Sequence, residues 1–350
     1  MPESLDKLPS PYLSGVFDLR SAASVELVMS RGCANKCSYC AINESPLRYF
    51  SYNRIKKELD YVLARAPRLR SMLVTVADMY ENDALAARVL PLLRRAAERK
   101  RFRVFFYVNV ASLRKDALLR LSDTPWFDVE VGIQSIRPDI LRLCRRLPDP
   151  AVIKANIENF KALAPSANKV LGLISFLPGD DERGYLDSLE WAISTGQGVA
   201  VNHLRVIPGT ELHRKCAAMG VKVSPDYPYF VTRTDKLGPA AVRRLSALTG
   251  EVFFSLRALA ASPEMKEDFF RAASALRTAR PHLFLAGALA GWWARRPATA
   301  PIVRIYRANV AATGSLDRNP ETGSFSPGDL RALRAEYSIF KEFMSRRTAA

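Results

Sequence analysis

The stretch SVELVMSRGCANKCSYC, residues 24–40, joins a strand pattern directly to a compact cysteine cluster. The run from Ser24 to Ser30 is short and mostly apolar, which predicts a buried strand. Cys33, Cys37 and Cys40 follow it with the spacing C-x3-C-x2-C. Three thiolates on one tight loop can each bind one iron of a cubane cluster. The fourth iron then has no protein ligand and can chelate the amino and carboxylate groups of a small molecule.

Two other uses of these cysteines are weighed against a cluster. Structural zinc takes four ligands, whereas Cys144 and Cys216 lie far away in predicted helices and no histidine is close in sequence. A redox pair of Cys37 and Cys40 would leave Cys33 without a role. Both alternatives stay open from the residues alone. Cys144 and Cys216 are predicted to be small buried hydrophobic side chains.

Strand and helix patterns alternate along most of the chain. The six predicted strands are Ser24–Ser30, Ser71–Ala77, Arg103–Val110, Phe127–Ile133, Lys169–Phe176 and Val199–Val206. They are largely apolar, as parallel strands covered on both faces are. The pattern predicts an α/β fold with right-handed crossovers, although periodicity does not separate a barrel from an open sheet. Pro91 should bend or interrupt the helix predicted at Asp83–Glu98.

The pattern becomes mainly helical after about Ser224. The elements predicted there are helices at Ala240–Ala260, Pro263–Arg277 and Pro327–Met344, a short strand at Ile302–Val310 and a loop at Gly314–Pro327. The apolar stretch Leu283–Ala294 is too short for a bilayer, which needs about 20 residues, and predicts a buried helix. No apolar signal-peptide region follows Met1, so the protein is predicted to be cytoplasmic.

The net charge of the chain is strongly positive. Lys and Arg number 52 against 35 Asp and Glu, which gives a formal charge of +17. This balance favours acidic partners such as nucleic acid, or basic side chains spread over solvated helix faces. No basic run interleaved with aromatic residues is present, which favours the second interpretation. Nucleic acid is therefore a disfavoured partner.

The cysteine cluster, with Tyr39 before its last cysteine, resembles the motif of the radical S-adenosylmethionine (radical SAM) superfamily. The resemblance covers about residues 8–230 and implies a partial (β/α)6 TIM-like barrel with a mainly helical C-terminal extension. It implies that Cys33, Cys37 and Cys40 hold a [4Fe–4S] cluster and that Tyr39 packs near the adenine of S-adenosylmethionine. The implied domains are a linker at residues 1–22, the barrel at 23–223 and the extension at 224–350. An electron donor such as flavodoxin or ferredoxin is an implied partner.

Further motifs resemble the cobalamin-binding branch of this superfamily. They are Leu8–Leu13 with Gly15–Asp18, Gly132–Ser135, Phe176–Gly179 followed by acidic residues, Val206–Leu212, and Pro225–Tyr229. By this resemblance Gln134 and Ser135 approach the nucleoside, and Arg146 approaches the methionine carboxylate. Asp78 is implied near the amino group of S-adenosylmethionine, although the family's Gly-Gly-Glu sequence is absent. The alternative for Asp78 is a loop residue that caps the next helix.

Cobalamin is a further cofactor that the resemblance raises. Members of that branch usually carry an N-terminal cobalamin domain, whereas this sequence begins at the linker and has no D-x-H-x-x-G motif. We therefore expect that the chain works without cobalamin, receives it from a separate cobalamin-binding subunit, or is a fragment. The remaining cysteines are too few for a second cluster of the twitch or SPASM type.

Three functions fit these observations. The first is a radical SAM enzyme that releases a 5′-deoxyadenosyl radical and functionalises a C–H bond of a small molecule or peptide in cofactor or natural-product biosynthesis. The reaction would be methylation, cyclisation, rearrangement or oxidation. The second is an RNA-modifying enzyme of the same superfamily, which the charge supports. The third is a non-catalytic iron–sulfur partner of a separate cobalamin subunit.

Polar residues on two predicted strands are further candidates. They are Tyr107 and Asn109 on the third strand, and Asn202, His203 and Arg205 on the sixth. Because facing alternates along a strand, some of them must point into the barrel. His203 is predicted to be a hydrogen-bonded core residue rather than a catalytic base.

Overall fold

A computed structural model describes residues 4–146 and 149–259, with side chains up to residue 250. Its main sheet has six strands: β1 (Ser24–Val28), β2 (Ser71–Thr75), β3 (Arg103–Asn109), β4 (Phe127–Gln134), β5 (Asn168–Ser175) and β6 (Gly198–His203). They lie in chain order across the sheet, and neighbouring strands from β1 to β5 run parallel. This confirms the predicted α/β fold of the partial TIM-like barrel type.

Helices separate the strands of the main sheet. They are α1 (Tyr52–Arg65), α2 (Asp83–Lys100), α3 (Lys115–Leu119), α4 (Pro138–Leu143), α5 (Pro150–Leu163) and α6 (Glu182–Ser194), with α7 (Glu211–Lys215) and α8 (Pro239–Leu259) after β6. Short antiparallel ladders join Ser30–Arg31 to Arg48–Tyr49 and Lys222–Val223 to Val231–Arg233. The described residues form two compact units, 4–173 with 205–218, and 174–204 with those from 219.

The two faces of the sheet differ in burial. On β4 the residues at Phe127, Val129, Val131 and Ile133 are fully buried, and those between them are partly exposed. β3 shows the same alternation up to Val108 and pairs in register with β4, while Asn109 at its end lies on the same face as Tyr107 and is buried. Side chains alternate along a strand, so the less buried residues of both strands share one face. We call this the open face; its members on β3 and β4 are Phe105, Tyr107, Asn109, Asp128, Glu130, Gly132 and Gln134.

Helix α2 continues through Pro91, so the proline does not interrupt it, and the alternative of a bend stays a prediction. Proline lacks the amide hydrogen that would bond to the carbonyl of Ala87, four residues earlier. Ala87 is exposed, so water can satisfy that carbonyl. The helix begins after Asn82, whose side chain accepts a hydrogen bond from the Leu85 N–H.

The described residues include only one of the elements predicted for the C-terminal part. The helix predicted at Ala240–Ala260 corresponds to α8. The predicted elements at Pro263–Arg277, Leu283–Ala294, Ile302–Val310, Gly314–Pro327 and Pro327–Met344 lie outside the described residues. Within the described part, no helix has both the length and the apolar character needed to cross a membrane.

Candidate functional site

Gly32 precedes the first cysteine of the loop, and any other residue at this position would be strained. Gly32 has φ of +81°, in the left-handed region that favours glycine. A Cβ at this position would lie 2.5 Å from the carbonyl carbon of Pro46 and 2.5 Å from the carbonyl oxygen of Ser45. Those atoms belong to the backbone that closes the loop, so they cannot move aside as a side chain would. The shape of the cysteine loop therefore depends on Gly32.

Backbone and side-chain hydrogen bonds fix the loop to the barrel. The Ser38 N–H donates to the carbonyl of Cys144 at 3.0 Å, and the Leu212 N–H donates to the carbonyl of Ser38 at 2.8 Å. The side chain of Asn109, at the end of β3, donates to the side chain of Asn35 at 3.2 Å. Three separate elements thus hold the cysteines at the carboxyl end of the strands, where functional residues of such barrels lie.

The three thiols are sheltered but not uniformly buried. Cys37 is 6% exposed, and Cys33 and Cys40 are half-buried. Burial raises the pKa of the Cys33 and Cys40 thiols, and the amide of Asn35 donates to the Cys33 sulfur at 3.6 Å. Metal binding would displace the protons of these thiols, because the ligand form of cysteine is the thiolate.

No group of three or more His, Cys, Asp or Glu side chains in the described part is arranged to share one metal ion. In a cubane each cysteine binds a different iron. The three thiols of this loop can therefore each bind a separate iron.

Arg146 reaches the cysteine loop from the end of α4. Its side chain is 9% exposed. One terminal nitrogen donates to the Gly132 carbonyl at 2.5 Å, and the other donates to the Cys37 sulfur at 3.7 Å. Its Nε is buried and has no hydrogen-bond partner in the described structure. The structure therefore places Arg146 beside the cysteines, with one donor still available.

Gln134 and Ser135 lie at the end of β4 but have different surroundings. The register with β5 is irregular between Gly132 and Gln134, and Gln134 has φ of +73°. A Cβ at Gly132 would lie 2.7 Å from Gln134 Nε2 and 2.9 Å from Arg146 Nη2, so both side chains converge over this glycine. Such a bulge with a strained residue is common next to functional sites. Ser135 is buried, and its hydroxyl accepts from the Arg137 N–H at 3.1 Å.

The carboxylate of Asp78 accepts hydrogen bonds from two other residues. Asp78 is 2% exposed; its carboxylate accepts from the Tyr80 N–H at 3.1 Å and from the Ser112 hydroxyl at 2.5 Å. Burial raises its pKa. It does not cap α2, since Asn82 does. Both carboxylate oxygens of Asp78 therefore accept a hydrogen bond within the protein, and its role towards S-adenosylmethionine stays a prediction.

Glu81 is the acidic residue of that loop which faces the cysteines, and the sequence interpretation missed it. Its Oε1 accepts from the Ala34 N–H at 3.0 Å, and its Oε2 is buried without a partner in the described residues. Burial raises the pKa of Glu81. Its position three residues after Asp78 was the available signal, but only the folded loop brings it to the cysteines.

Four buried side-chain polar atoms at or near the cysteine loop have no hydrogen-bond partner in the described residues. They are the hydroxyls of Tyr39 and Tyr49, Oε2 of Glu81 and Nε of Arg146. Burial, followed by the neighbouring Cys37, raises the pKa of Tyr39, and burial likewise raises that of Tyr49. Buried polar groups normally have partners, so this set fits a polar ligand that brings both donors and acceptors. Tyr49 was not a candidate from the sequence.

The polar candidates at and after β6 have surroundings of their own. His203 packs between the rings of Phe176 and Phe230, and its Nε2 is 2.9 Å from the Val231 carbonyl. The ring is hydrogen-bonded, as the sequence predicted, but it is half-buried rather than in the core. Asn202 and Arg205 are exposed.

Comparisons with known proteins agree with this architecture. Residues 27–192 match the radical SAM superfamily. No curated protein matches the chain. The solved structure of the cobalamin-dependent S-adenosylmethionine radical enzyme OxsB is 13% identical, with a TM-score of 0.54 over 93% of this chain and 54% of that chain. The radical S-adenosylmethionine methyltransferase TsrM from Kitasatospora setae is 15% identical, with a TM-score of 0.48 over 59% of this chain and 41% of that chain.

These likenesses are limited to the fold. The identities are low, and the chain spans only about half the length of OxsB and less of TsrM. The match to the superfamily is more specific than these structural likenesses. The matched residues, 27–192, include the three cysteines, Glu81, Gln134 and Arg146. Proteins of this superfamily use a [4Fe–4S] cluster and S-adenosylmethionine. Residues 27–192 of this chain form a radical SAM domain.

Proposed function

We propose that this chain is an enzyme that cleaves S-adenosylmethionine reductively and functionalises a C–H bond of a small molecule or peptide in a biosynthetic reaction. Cys33, Cys37 and Cys40 are the proposed ligands of the [4Fe–4S] cluster. The observation that carries this proposal is the set of four buried polar atoms at or near the cysteine loop that have no hydrogen-bond partner in the described residues. When bound, the cluster supplies the electron that cleaves the sulfonium to methionine and a 5′-deoxyadenosyl radical.

Charge complementarity supports a zwitterionic ligand beside the cysteines. Arg146 offers an unpaired guanidinium N–H, and Glu81 offers an unpaired carboxylate oxygen. The α-amino and α-carboxylate groups of methionine require one partner of each sign, and guanidinium with carboxylate is a strong pair. In this proposal Arg146 binds the carboxylate and Glu81 binds the ammonium group. Asp78 supports the loop that positions Glu81.

Tyr39 and Gln134 are proposed to bind the nucleoside. Tyr39 lies inside the cysteine cluster and buries its hydroxyl, so its ring can exclude water from one side of the adenine. Gln134 presents an amide at the strained end of β4. Ser135 bonds the backbone of Arg137, so its proposed contribution is to shape the turn that carries Gln134.

Replacing Arg146 or Glu81 is expected to weaken binding of S-adenosylmethionine. Arg146→Gln and Glu81→Gln each remove one charge that is proposed to pair with S-adenosylmethionine. We expect the dissociation constant to rise about tenfold to a hundredfold, which corresponds to a loss of about 1.4–2.8 kcal/mol of binding free energy. Isothermal titration of the cluster-loaded protein with S-adenosylmethionine measures this directly. Arg142→Gln, at an exposed position of α4, is the matched control. Unchanged affinity in both test variants would remove them from the site.

The reaction class is tested by product analysis under anaerobic conditions. The reconstituted chain is incubated with S-adenosylmethionine and dithionite, with and without cobalamin, and 5′-deoxyadenosine and S-adenosylhomocysteine are followed. S-adenosylhomocysteine that appears only with cobalamin would assign methylation. 5′-Deoxyadenosine alone would assign reductive cleavage without methyl transfer.

The formal charge of +17 is the one observation that favours an RNA substrate. Binding of transfer RNA with a steep salt dependence would assign that alternative.

A further inference from the structure

Glu130 lies on the open face of β4, deeper in the barrel than the cofactor site. It precedes Gly132 by two residues, and two residues span about 6.6 Å along a parallel strand. The Gly132 carbonyl is the atom that Arg146 contacts. Glu130 therefore lies about one side-chain layer below Arg146 and the cysteine loop. A substrate that reacts beside the cofactor would occupy this layer.

Glu130 differs from the other acidic residues of the same face. Asp128 is bound by Arg103 at 2.5 Å and by Asn168 at 2.7 Å, and Glu26 on β1 accepts from the Thr75 hydroxyl. Glu130 has no hydrogen-bond or ion-pair partner among the described residues, and burial is the sole cause that moves its pKa. A half-buried carboxyl without a partner costs free energy. That cost is offset when a ligand provides the missing donor.

The neighbouring strand leaves room for this carboxyl group. A Cβ at Gly172 on β5 would lie 2.9 Å from Glu130 Oε1, which is closer than side chains approach in folded proteins. Glycine at this position therefore lets the carboxyl group extend along the face. The space at Gly172 and the missing partner among the described residues both concern the carboxyl group of Glu130.

An aromatic ring stands directly opposite on the other neighbouring strand. Tyr107 of β3 is in register with Glu130, and its side chain is 41% exposed. Its ring packs edge-on against Phe105 at 5.1 Å between centroids, which restricts its orientation. A carboxylate next to an accessible aromatic ring attracts organic cations, through the ion pair and through the ring quadrupole.

We propose that Glu130 and Tyr107 form the substrate-recognition site of the barrel, and that they bind a substrate bearing a protonated nitrogen, as an ammonium or guanidinium group. Glu130 pairs with the cation, and the Tyr107 ring covers its apolar flank. This inference rests on the proposed function, because it takes the space below the cysteine loop as the place of reaction. Burial raises the pKa of Glu130 to about 7, and an incoming cation stabilises the ionised form.

Probe binding tests this site without any turnover. Phenethylammonium and its neutral isostere 2-phenylethanol are titrated against the full chain and followed by saturation-transfer NMR. We expect the ammonium probe to bind at least about tenfold more tightly than the alcohol. Glu130→Gln should abolish this preference, and Glu26→Gln, an acidic residue of the main sheet that already has a partner, should retain it.

A second variant tests the geometry without removing the carboxyl group. Gly172→Ala places a methyl group against Glu130 and should also reduce the preference for the ammonium probe. Equal binding of both probes to the wild-type chain, or an unchanged preference in Glu130→Gln, would overturn the inference. Because binding is read without S-adenosylmethionine, its failure is distinct from a failure of the proposed function, which appears as absent 5′-deoxyadenosine in the wild-type chain.

Discussion

Replacing any one of Cys33, Cys37 or Cys40 by alanine is expected to abolish 5′-deoxyadenosine formation and to remove most of the iron from the reconstituted protein. Each thiolate is proposed to bind a different iron, so the loss of one opens the cubane and exposes it to solvent. We expect the rate to fall by about a hundredfold or more. Iron and sulfide analysis, the visible absorption of the cluster, and product chromatography measure the effect.

The matched control for these variants is Cys216→Ala. Cys216 is half-buried at the end of α7 and is a free thiol in the structure, as the three loop cysteines are. It should keep full iron content and full product formation, which separates ligand loss from general sensitivity to cysteine removal. A loop variant that kept the wild-type iron content would contradict the assignment of that residue as a ligand.

Gly32→Ala is expected to disrupt cluster loading almost as severely while leaving every cysteine in place. The added methyl group would collide with the backbone at Ser45 and Pro46, and alanine is strained at φ of +81°. Together these effects should cost about 3 kcal/mol or more. The loop that carries the three thiols would have to shift, and iron content should fall below about one-fifth of the wild-type value. Iron analysis and urea unfolding measure the two effects.

Gly209→Ala separates the collision from backbone strain. Gly209 has φ of +91°, and a Cβ there would meet no atom within 4 Å. We therefore expect a modest loss of stability, about 1 kcal/mol, and normal cluster loading. Equal loading of the Gly32→Ala and Gly209→Ala proteins would show that the close approach at Gly32 does not shape the cysteine loop.

The strands and helices of the barrel were largely predictable from local patterns. Strands such as Phe127–Gln134 place large apolar residues on the buried face, and the same residues make the apolar run that the sequence shows. Pro91 does not interrupt α2, because an exposed part of a helix can leave one carbonyl to water. Local sequence gives the missing amide hydrogen but not the exposure of the carbonyl that it would have bonded.

The candidate site was predictable only where its residues form a compact motif. The cysteines and Tyr39 are adjacent in sequence, and Arg146 follows the pattern at Gly132–Ser135. Glu81 was missed because its role depends on a hydrogen bond to Ala34 across 47 positions. Asp78 was the acidic residue that the sequence predicted, and the structure adds that its carboxylate accepts hydrogen bonds from Tyr80 and Ser112.

Glu130 was missed for a different reason. Alternation predicts that some polar residues of β4 face the barrel interior, but it does not show which of them have partners. Asp128 is two residues away on the same face, and Arg103 of the neighbouring strand pairs with it. Strand register and the space at Gly172 are properties of the folded sheet.

The most direct test of the central claim is one anaerobic sample of the reconstituted chain, divided between metal analysis and reaction with S-adenosylmethionine and dithionite. We predict about four iron atoms per chain, little zinc, and 5′-deoxyadenosine that forms only when both reagents are present. One zinc ion per chain with no iron–sulfur cluster, or a fully loaded cluster that yields no 5′-deoxyadenosine, would contradict the account.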